Sequence, residues 1–396
     1  MTQTHLAPST RSWNRGWSRI DGIDILRGLS ILFVLMNHVN MRLLFAKVPY
    51  THGLPDQLVS SLVWNGQFGV QMFFAISGFL ITSTSIRRWG SPDRLVVKDF
   101  YLLRFARIAP LMLLLLCILS ALHFGHVSGY VVSSKTGGLP RALLAALTFH
   151  INWLEATRGY LPGNWDILWS LSVEEMFYLF FPLVARVFRR KEFLIPLLVL
   201  FAIAGPFARA RAFNPNPVWR EYTYLGGMDA IALGCLTAIL LSGSQLSRTW
   251  LRVCGAVGAA LLIFSLAFSI RAYAWGLGRN GLNMTVLAVG TCLVIAAAAQ
   301  SGWRAPRFLA PLLSLGRRSY EIYLTHMFAV MALFAAFVHF GKPLRGVPWL
   351  FAACIVTAGL LGWLVAITYA EPMNRRLRKR FGDDASTLGA AQPQVD

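Results

Sequence analysis

Residues 347–370 have the sequence VPWLFAACIVTAGLLGWLVAITYA, a stretch of 24 residues without one charged side chain. About 20 mainly apolar residues in a helix are enough to cross the hydrocarbon core of a bilayer. Similar stretches recur along the whole chain. Ten are predicted to span a membrane: 28–46, 66–84, 105–123, 167–185, 193–208, 226–242, 252–270, 282–300, 320–340 and 347–370. We expect the fifth to be tilted or broken, because it contains Pro196 and Pro206.

The composition agrees with these spans. Of the 396 residues, 56% are hydrophobic and 14% are charged, whereas soluble domains average about 45–50% and about 25%. So few charges exclude a soluble globular domain and a disordered chain. The predicted fold is all-α, a polytopic membrane helix bundle of about ten transmembrane helices. We place it in the cell membrane (the inner or plasma membrane) as a multi-pass protein, with the lipid bilayer as its surroundings.

The net charge of +20 indicates how the chain is oriented. Lys and Arg stand in short clusters between the apolar runs, which is typical of membrane topology and not of nucleic-acid binding, so we expect no nucleic acid as a partner. With the N-terminus in the cytoplasm, 25 of the 37 basic residues fall in cytoplasmic segments. Both termini are therefore predicted to be cytoplasmic. Segment 141–154 is too short and polar to span, and we interpret it as re-entrant or interfacial.

The same pattern divides the chain into three parts. Residues 1–20 are a cytoplasmic N-terminal segment, 21–380 form the transmembrane domain, and 381–396 are a polar cytoplasmic tail predicted to be disordered. No soluble catalytic domain is predicted, so any chemistry must come from the membrane part. No metal site and no permanently bound cofactor are predicted.

The first span contains the most informative polar pair, Arg27 and His38. Eleven residues correspond to about three helical turns, so both lie on one face, about 16 Å apart along the helix axis. Arg27 suits an anion contact, and a membrane imidazole suits a general base that activates a hydroxyl group. Alternatively, His38 bonds a backbone carbonyl at a helix contact, and Arg27 reflects topology alone.

Two further spans contain candidate functional residues, each of which also has a purely structural explanation. Ser77 and Gly78 stand inside the second span, where small residues commonly allow close helix packing. Arg104 and Arg107 share a face at the start of the third span, where two guanidinium groups could grip phosphates. Snorkelling of both arginines to the membrane surface is the alternative.

The fourth span combines aromatic and acidic residues. Trp169, Glu174 and Tyr178 could together line a site for a sugar, and of Glu174 and Glu175 we expect only one to face the interior. The alternative is an interfacial aromatic belt with a structural carboxylate.

Two other polar residues lie in membrane segments. His326 in the ninth span is a second membrane histidine with either a structural or a functional role. Asp229 in the sixth span is expected to cap its helix or to pair with an arginine.

Five segments together resemble the acyltransferase-3 family of integral membrane O-acyltransferases. They occur in the family's order and cover most of the chain: DGIDILRGLSILFVLMNH (21–38), FFAISGFL (73–80), RFARIAP (104–110), LWSLSVEEMFY (168–178) and SYEIYLTH (319–326). The resemblance implies transfer of an acyl group, usually acetyl, from cytoplasmic acyl-CoA to a hydroxyl group of an extracytoplasmic glycan or glycosylated small molecule. Many relatives add a C-terminal hydrolase-like domain, and we expect this chain to belong to the shorter branch.

The resemblance also implies roles for single residues. The expected catalytic residues are His38, Arg27 and Glu174. The expected donor-binding residues are Arg104, Arg107, Ser77 and Gly78. We add Trp169, Tyr178 and His326 as expected acceptor-binding residues. Acetyl-CoA, or another acyl-CoA, is the expected co-substrate, and a polysaccharide such as lipopolysaccharide or exopolysaccharide is an expected acceptor.

Two other functions remain open at this point. A transporter or flippase for a sugar-containing substrate would also need buried His, Glu and Arg side chains. A membrane sensor or scaffold would carry the same residues without small-molecule chemistry. An arginine pair at a cytoplasmic helix end favours an enzyme with a phosphate-bearing donor.

Overall fold

The structure, a computed structural model, describes residues 19–187 and 191–381. Within this part of the chain, ten helices are long and apolar enough to cross a membrane, which confirms the predicted number. In chain order, spans 1 to 10 are Asp21–Phe45, Gly66–Trp89, Val97–Phe124, Gly163–Val187, Glu192–Arg209, Pro217–Gly243, Arg248–Ala267, Leu282–Ser301, Ser319–His339 and Leu344–Arg380. The predicted terminal segments, 1–20 and 381–396, lie outside the described residues except for 19, 20 and 381.

Several helices extend beyond the apolar runs that predicted them. Span 3 begins at Val97 rather than near 105, and so includes a polar first turn with Lys98 and Asp99. A helix satisfies its own backbone hydrogen bonds whether or not its side chains are apolar, so it continues past the hydrocarbon layer. Span 5 is one continuous helix through Pro196 and Pro206, so the expected break does not occur.

Shorter helices connect the spans. They are Asp56–Val63, Gly138–Leu147, Ile151–Arg158, Ser269–Ala274 and Ala310–Arg317. The segment 141–154 falls on two of them, of 10 and 8 residues, separated by a break at which Phe149 has a φ of 58°. Neither helix is long enough to cross a bilayer.

Spans 2 and 6 pack at very close range through glycines. A Cβ atom at Gly78 would collide with the carbonyl oxygen of Ile231, and one at Gly234 would collide with that of Ala75. Small residues let membrane helices approach in this way. Gly78 therefore has the packing role that was the alternative for this residue.

Spans 5 and 6 are joined by a buried ion pair. Arg209 Nη2 lies 2.8 Å from Asp229 Oδ2, and Thr285 Oγ1 donates to the same oxygen at 2.9 Å. Asp229 is fully buried. The expected pairing of Asp229 with an arginine is present, and it stabilises a carboxylate that would be very costly alone in a membrane.

Candidate functional site

A cavity of about 1100 Å³ lies between spans 1, 2, 3, 4 and 9, and Ser242 of span 6 and Arg378 of span 10 also line it. Its lining on span 2 runs from Val70 to Gly90, which is roughly 30 Å along a helix. The described lining includes six arginines and two glutamates: Arg27, Arg87, Arg88, Arg104, Arg107, Arg378, Glu174 and Glu175. This excess of positive charge in a concave site favours an anionic ligand.

A smaller cavity of about 260 Å³ adjoins the large one and shares Arg27, Arg87 and Arg107 with it. Arg19 and Arg317 line the smaller cavity as well. We call the end of the bundle that carries these five arginines the basic end.

Arg27 is fixed from a distant helix. Its Nε donates a hydrogen bond to Oγ of Ser319 at 3.1 Å, and the Ser319 side chain is buried. Arg27 borders both cavities. The sequence analysis missed Ser319, although it opens the SYEIYLTH segment that carried the resemblance.

The structure separates the two arginines of span 3. Nη2 of Arg104 lies 2.9 Å from Oε1 of Glu175, and its guanidinium carbon lies 3.6 Å from the centre of the Tyr178 ring. Arg107 is exposed to the cavity. Arg104 is therefore held by the protein, and Arg107 is the member of the predicted pair that is placed to meet a ligand.

Ser77, Glu174 and Tyr178 form one hydrogen-bonded cluster. The Tyr178 hydroxyl donates to Glu174 Oε1 at 2.7 Å, and the Ser77 hydroxyl contacts both partners. Residues expected in three different roles are thus in contact. The cluster also gives Ser77 a neighbouring carboxylate from a distant helix, which no local sequence pattern indicated.

Both glutamates of span 4 line the cavity, so the expectation that only one faces the interior is wrong. Neighbouring helix positions differ by about 100°, and a wide cavity spans that angle. Glu174 contacts Ser77, and Glu175 pairs with Arg104. Glu175 is a site residue that the sequence analysis did not assign.

The aromatic residues of span 4 are built into the wall. The Trp169 ring stacks on Tyr222 with centroids 4.3 Å apart and planes at 7°, and Trp169 is 5% exposed. Tyr178 is 2% exposed, with Arg104 over its ring. Neither ring offers an open face to a sugar in this structure, so the arrangement does not favour their expected acceptor-binding role.

His38 and His326 are in direct contact. Nε2 of His326 lies 3.2 Å from Nδ1 of His38, and the ring centroids are 4.9 Å apart. His326 is fully buried, whereas His38 is half-buried. The sequence analysis treated these histidines separately, and their pairing comes from the packing of span 1 against span 9.

The histidine pair lies just beyond the inner limit of the cavity. On span 2, the cavity lining ends at Val70. Gly66, one helical turn beyond Val70, packs against Asn37. The neighbouring residue His38 therefore lies about one turn outside the lining. Tyr323 borders the cavity and also has its ring centroid 5.8 Å from that of His326. Tyr323 therefore borders both the cavity and His326.

An acidic cluster lies toward the opposite end of the bundle. Glu155 is buried next to Asp166, which accepts a hydrogen bond from the Tyr222 hydroxyl at 3.0 Å. Burial, and then the neighbouring Asp166 carboxylate, raise the pKa of Glu155 well above 4.5. Glu155 Oε1 accepts from the Leu161 backbone N–H at 3.0 Å. Within the described ranges, no group of three or more His, Cys, Asp or Glu could hold a metal ion.

Comparison with known proteins supports the resemblance carried by the five segments. The acyltransferase-3 family model, described as an acyltransferase domain, matches residues 20–368. The chain is 25% identical over 332 residues to the O-acetyltransferase OatA of Staphylococcus aureus (strain NCTC 8325 / PS 47), covering 78% of this chain and 50% of that protein. It is 27% identical over 338 residues to the peptidoglycan O-acetyltransferase OatA of Listeria monocytogenes, covering 78% and 49%.

The chain thus spans about half the length of these relatives. No solved structure matches it significantly.

Proposed function

Because this chain belongs to the acyltransferase-3 family, we propose that it is a membrane O-acetyltransferase that moves an acetyl group from acetyl-CoA to a hydroxyl group of a glycan. The observation that carries this proposal is the arginine-rich cavity, which runs from the basic end to within one residue of the histidine pair. The named activities of the relatives, O-acetylation and peptidoglycan O-acetylation, support the glycan acceptor.

The donor binds from the basic end, which we assign to the cytoplasm because Lys and Arg concentrate there. Arg107 and Arg27 border both cavities, and they contact the phosphates of acetyl-CoA. Arginine suits this task because its planar guanidinium binds phosphate oxygens in pairs. The pantetheine arm then extends along span 2 past Ser77, and its thioester lies near Tyr323, beside the histidine pair.

The acetyl transfer itself uses His38 as general base. Nε2 of His38 takes the proton of the acceptor hydroxyl while that oxygen attacks the thioester carbonyl carbon. The C–S bond then breaks, and the CoA thiolate recovers the proton from the His38 imidazolium. No acyl-enzyme is needed, and the products are the O-acetylated glycan and CoA.

The acceptor approaches from the opposite end of the bundle, past Glu155 on the short helix Ile151–Arg158 and Tyr222 near the start of span 6. Trp169 and Tyr178 shape the wall behind it rather than stacking on it. His38 lies about 10 Å from the end of span 1 at Phe45, so an acceptor hydroxyl has a short distance to cover.

The test is the release of CoA from acetyl-CoA by the purified protein in vesicles, with and without a peptidoglycan fragment. We expect release to depend on the fragment and to stop in His38→Ala. The matched control is His52→Ala, which changes an exposed loop histidine and should retain the wild-type rate. Undiminished release in His38→Ala would refute the role of this base. Movement of the fragment across the membrane without CoA release would indicate a transporter instead.

A further inference from the structure

The two membrane histidines form a hydrogen-bonded pair whose proton positions can be deduced. Nδ1 of His326 lies 2.7 Å from the carbonyl oxygen of Tyr323, and Nδ1 of His38 lies 2.9 Å from that of Val34. A carbonyl oxygen can only accept, so each Nδ1 carries a hydrogen. In their neutral forms, both rings therefore have an unprotonated Nε2.

This assignment gives the contact between the rings a direction. The Nε2 lone pair of His326 lies 3.2 Å from Nδ1 of His38 and accepts from its N–H. That hydrogen is thus shared between the Val34 carbonyl and His326. The His38 ring is thus held through its Nδ1–H, and the lone pair on its Nε2 is available to accept a proton from another group.

Both nitrogens of His326 are engaged by the protein, and its side chain is fully buried. It is therefore poorly placed to bind an acceptor, which was its expected role. We infer that His326 is a positioning residue: it fixes the tautomer and ring orientation of His38 and stabilises the imidazolium formed when His38 takes a proton. This inference rests on the proposed function.

The arrangement is similar in logic to an acid–base triad, in which a third group bonds the far nitrogen of the catalytic imidazole. The third group is usually a carboxylate, and here it is a neutral imidazole. A permanent negative charge at this depth of a membrane protein would be costly without a cation beside it. A neutral acceptor orients His38 without that cost.

Two substitutions of His326 separate its two contacts. His326→Asn retains a donor for the Tyr323 carbonyl and removes the acceptor at the position of Nε2. His326→Gln places an amide oxygen near the position of Nε2 and gives up the donor to Tyr323. We expect kcat to fall about tenfold or more in His326→Asn, with KM for acetyl-CoA and for the glycan unchanged, and to recover largely in His326→Gln.

The outcomes are distinct. Full activity in His326→Asn together with loss in His326→Gln would mean that only the Tyr323 contact matters, and would overturn the inference. A raised KM for the glycan in both variants, at constant kcat, would restore the acceptor-binding role and overturn it as well. If His38→Ala remains active, the proposed function of His38 fails first. If His38→Ala is inactive while His326→Asn is unaffected, the inference alone fails.

A measurement on the wild-type protein does not depend on the folding of any variant. Solid-state ¹⁵N NMR of histidine-labelled protein in lipid reports which ring nitrogen carries hydrogen. We expect Nδ1–H in both His38 and His326, with a coupling between Nδ1 of His38 and Nε2 of His326. An Nε2–H tautomer at His38 would contradict the inference.

Discussion

Nε of Arg27 donates a hydrogen bond to Oγ of Ser319, and this contact ties span 1 to span 9. The same two spans carry His38 and His326, which meet further along the bundle. Arg27, which borders the cavity, and His38, the proposed base, therefore lie on the same helix. Span 9 contacts that helix at both residues. This arrangement keeps the distance between Arg27 and His38 nearly constant.

We expect Ser319→Ala to weaken donor binding. The substitution removes the hydrogen bond from Arg27 Nε to the Ser319 side chain, and one hydrogen bond contributes about 1 kcal/mol. The KM for acetyl-CoA should therefore rise about fivefold, with little change in kcat. Ser319→Thr keeps the hydroxyl group and serves as the control. An unaltered KM in the alanine variant would show that Arg27 does not need this contact.

The two arginines of span 3 should respond differently to replacement by glutamine. Arg104→Gln leaves Glu175 unpaired at a largely buried site, so we expect about 3 kcal/mol of lost stability, seen as a lower melting temperature in detergent. Arg107→Gln should raise the KM for acetyl-CoA and leave the melting temperature unchanged, because this side chain is exposed.

A double variant provides the check on this prediction. Arg104→Gln combined with Glu175→Gln removes both charges, and we expect most of the lost stability to return. If the double variant melts as early as Arg104→Gln alone, the ion pair is not the reason for the loss.

Gly78→Ala should impair folding rather than chemistry. The added Cβ would collide with the Ile231 carbonyl, and overpacking of this kind costs about 1–3 kcal/mol. Gly243→Ala is the matched control on span 6, since a Cβ there meets no atom within 4 Å. The yield of folded protein and its melting temperature measure the difference. Equal values for the two variants would contradict close packing of spans 2 and 6.

Glu155 should make stability depend on pH. Its pKa is raised in the folded protein, so the folded state binds a proton more tightly than the unfolded state. Stability should therefore fall as the pH rises above 4.5, the ordinary value for glutamate, and level off above the folded-state pKa.

Glu155→Gln tests this pH dependence. Its amide oxygen can accept from the Leu161 N–H, as the carboxyl group does, and the amide does not ionise. In Glu155→Gln, the melting temperature should therefore fall less with rising pH than it does in the wild-type protein. An identical pH profile in wild type and Glu155→Gln would mean that the carboxyl group is ionised in the folded protein.

The number of spans could be predicted because hydrophobic length is a local property. Each run of about 20 apolar residues must become a helix in a membrane, whatever its neighbours are. Helix ends were predicted less well, as at Val97, because polar turns extend a helix without leaving a hydropathy signal. The prolines of span 5 do not break its helix, since a helix in a membrane tolerates proline.

The candidate site was predicted as a set of residues and not as a set of contacts. Arg27, Ser77 and Glu174 all line the cavity, as a site residue should. The partner of each one depends on which helices are neighbours and how each is rotated. Ser77 and Glu174 are 97 positions apart in the sequence, and no pattern within one helix indicates that they are in contact.

By itself, then, the sequence determined that this chain is a multi-pass helical membrane protein with a small number of costly polar side chains, because a bilayer constrains each segment separately. Tertiary structure alone decided that Arg104 pairs with Glu175, that Gly78 packs against span 6, and that His326 holds His38. These contacts join distant helices, and helix packing is set by the complementary shapes of many side chains at once.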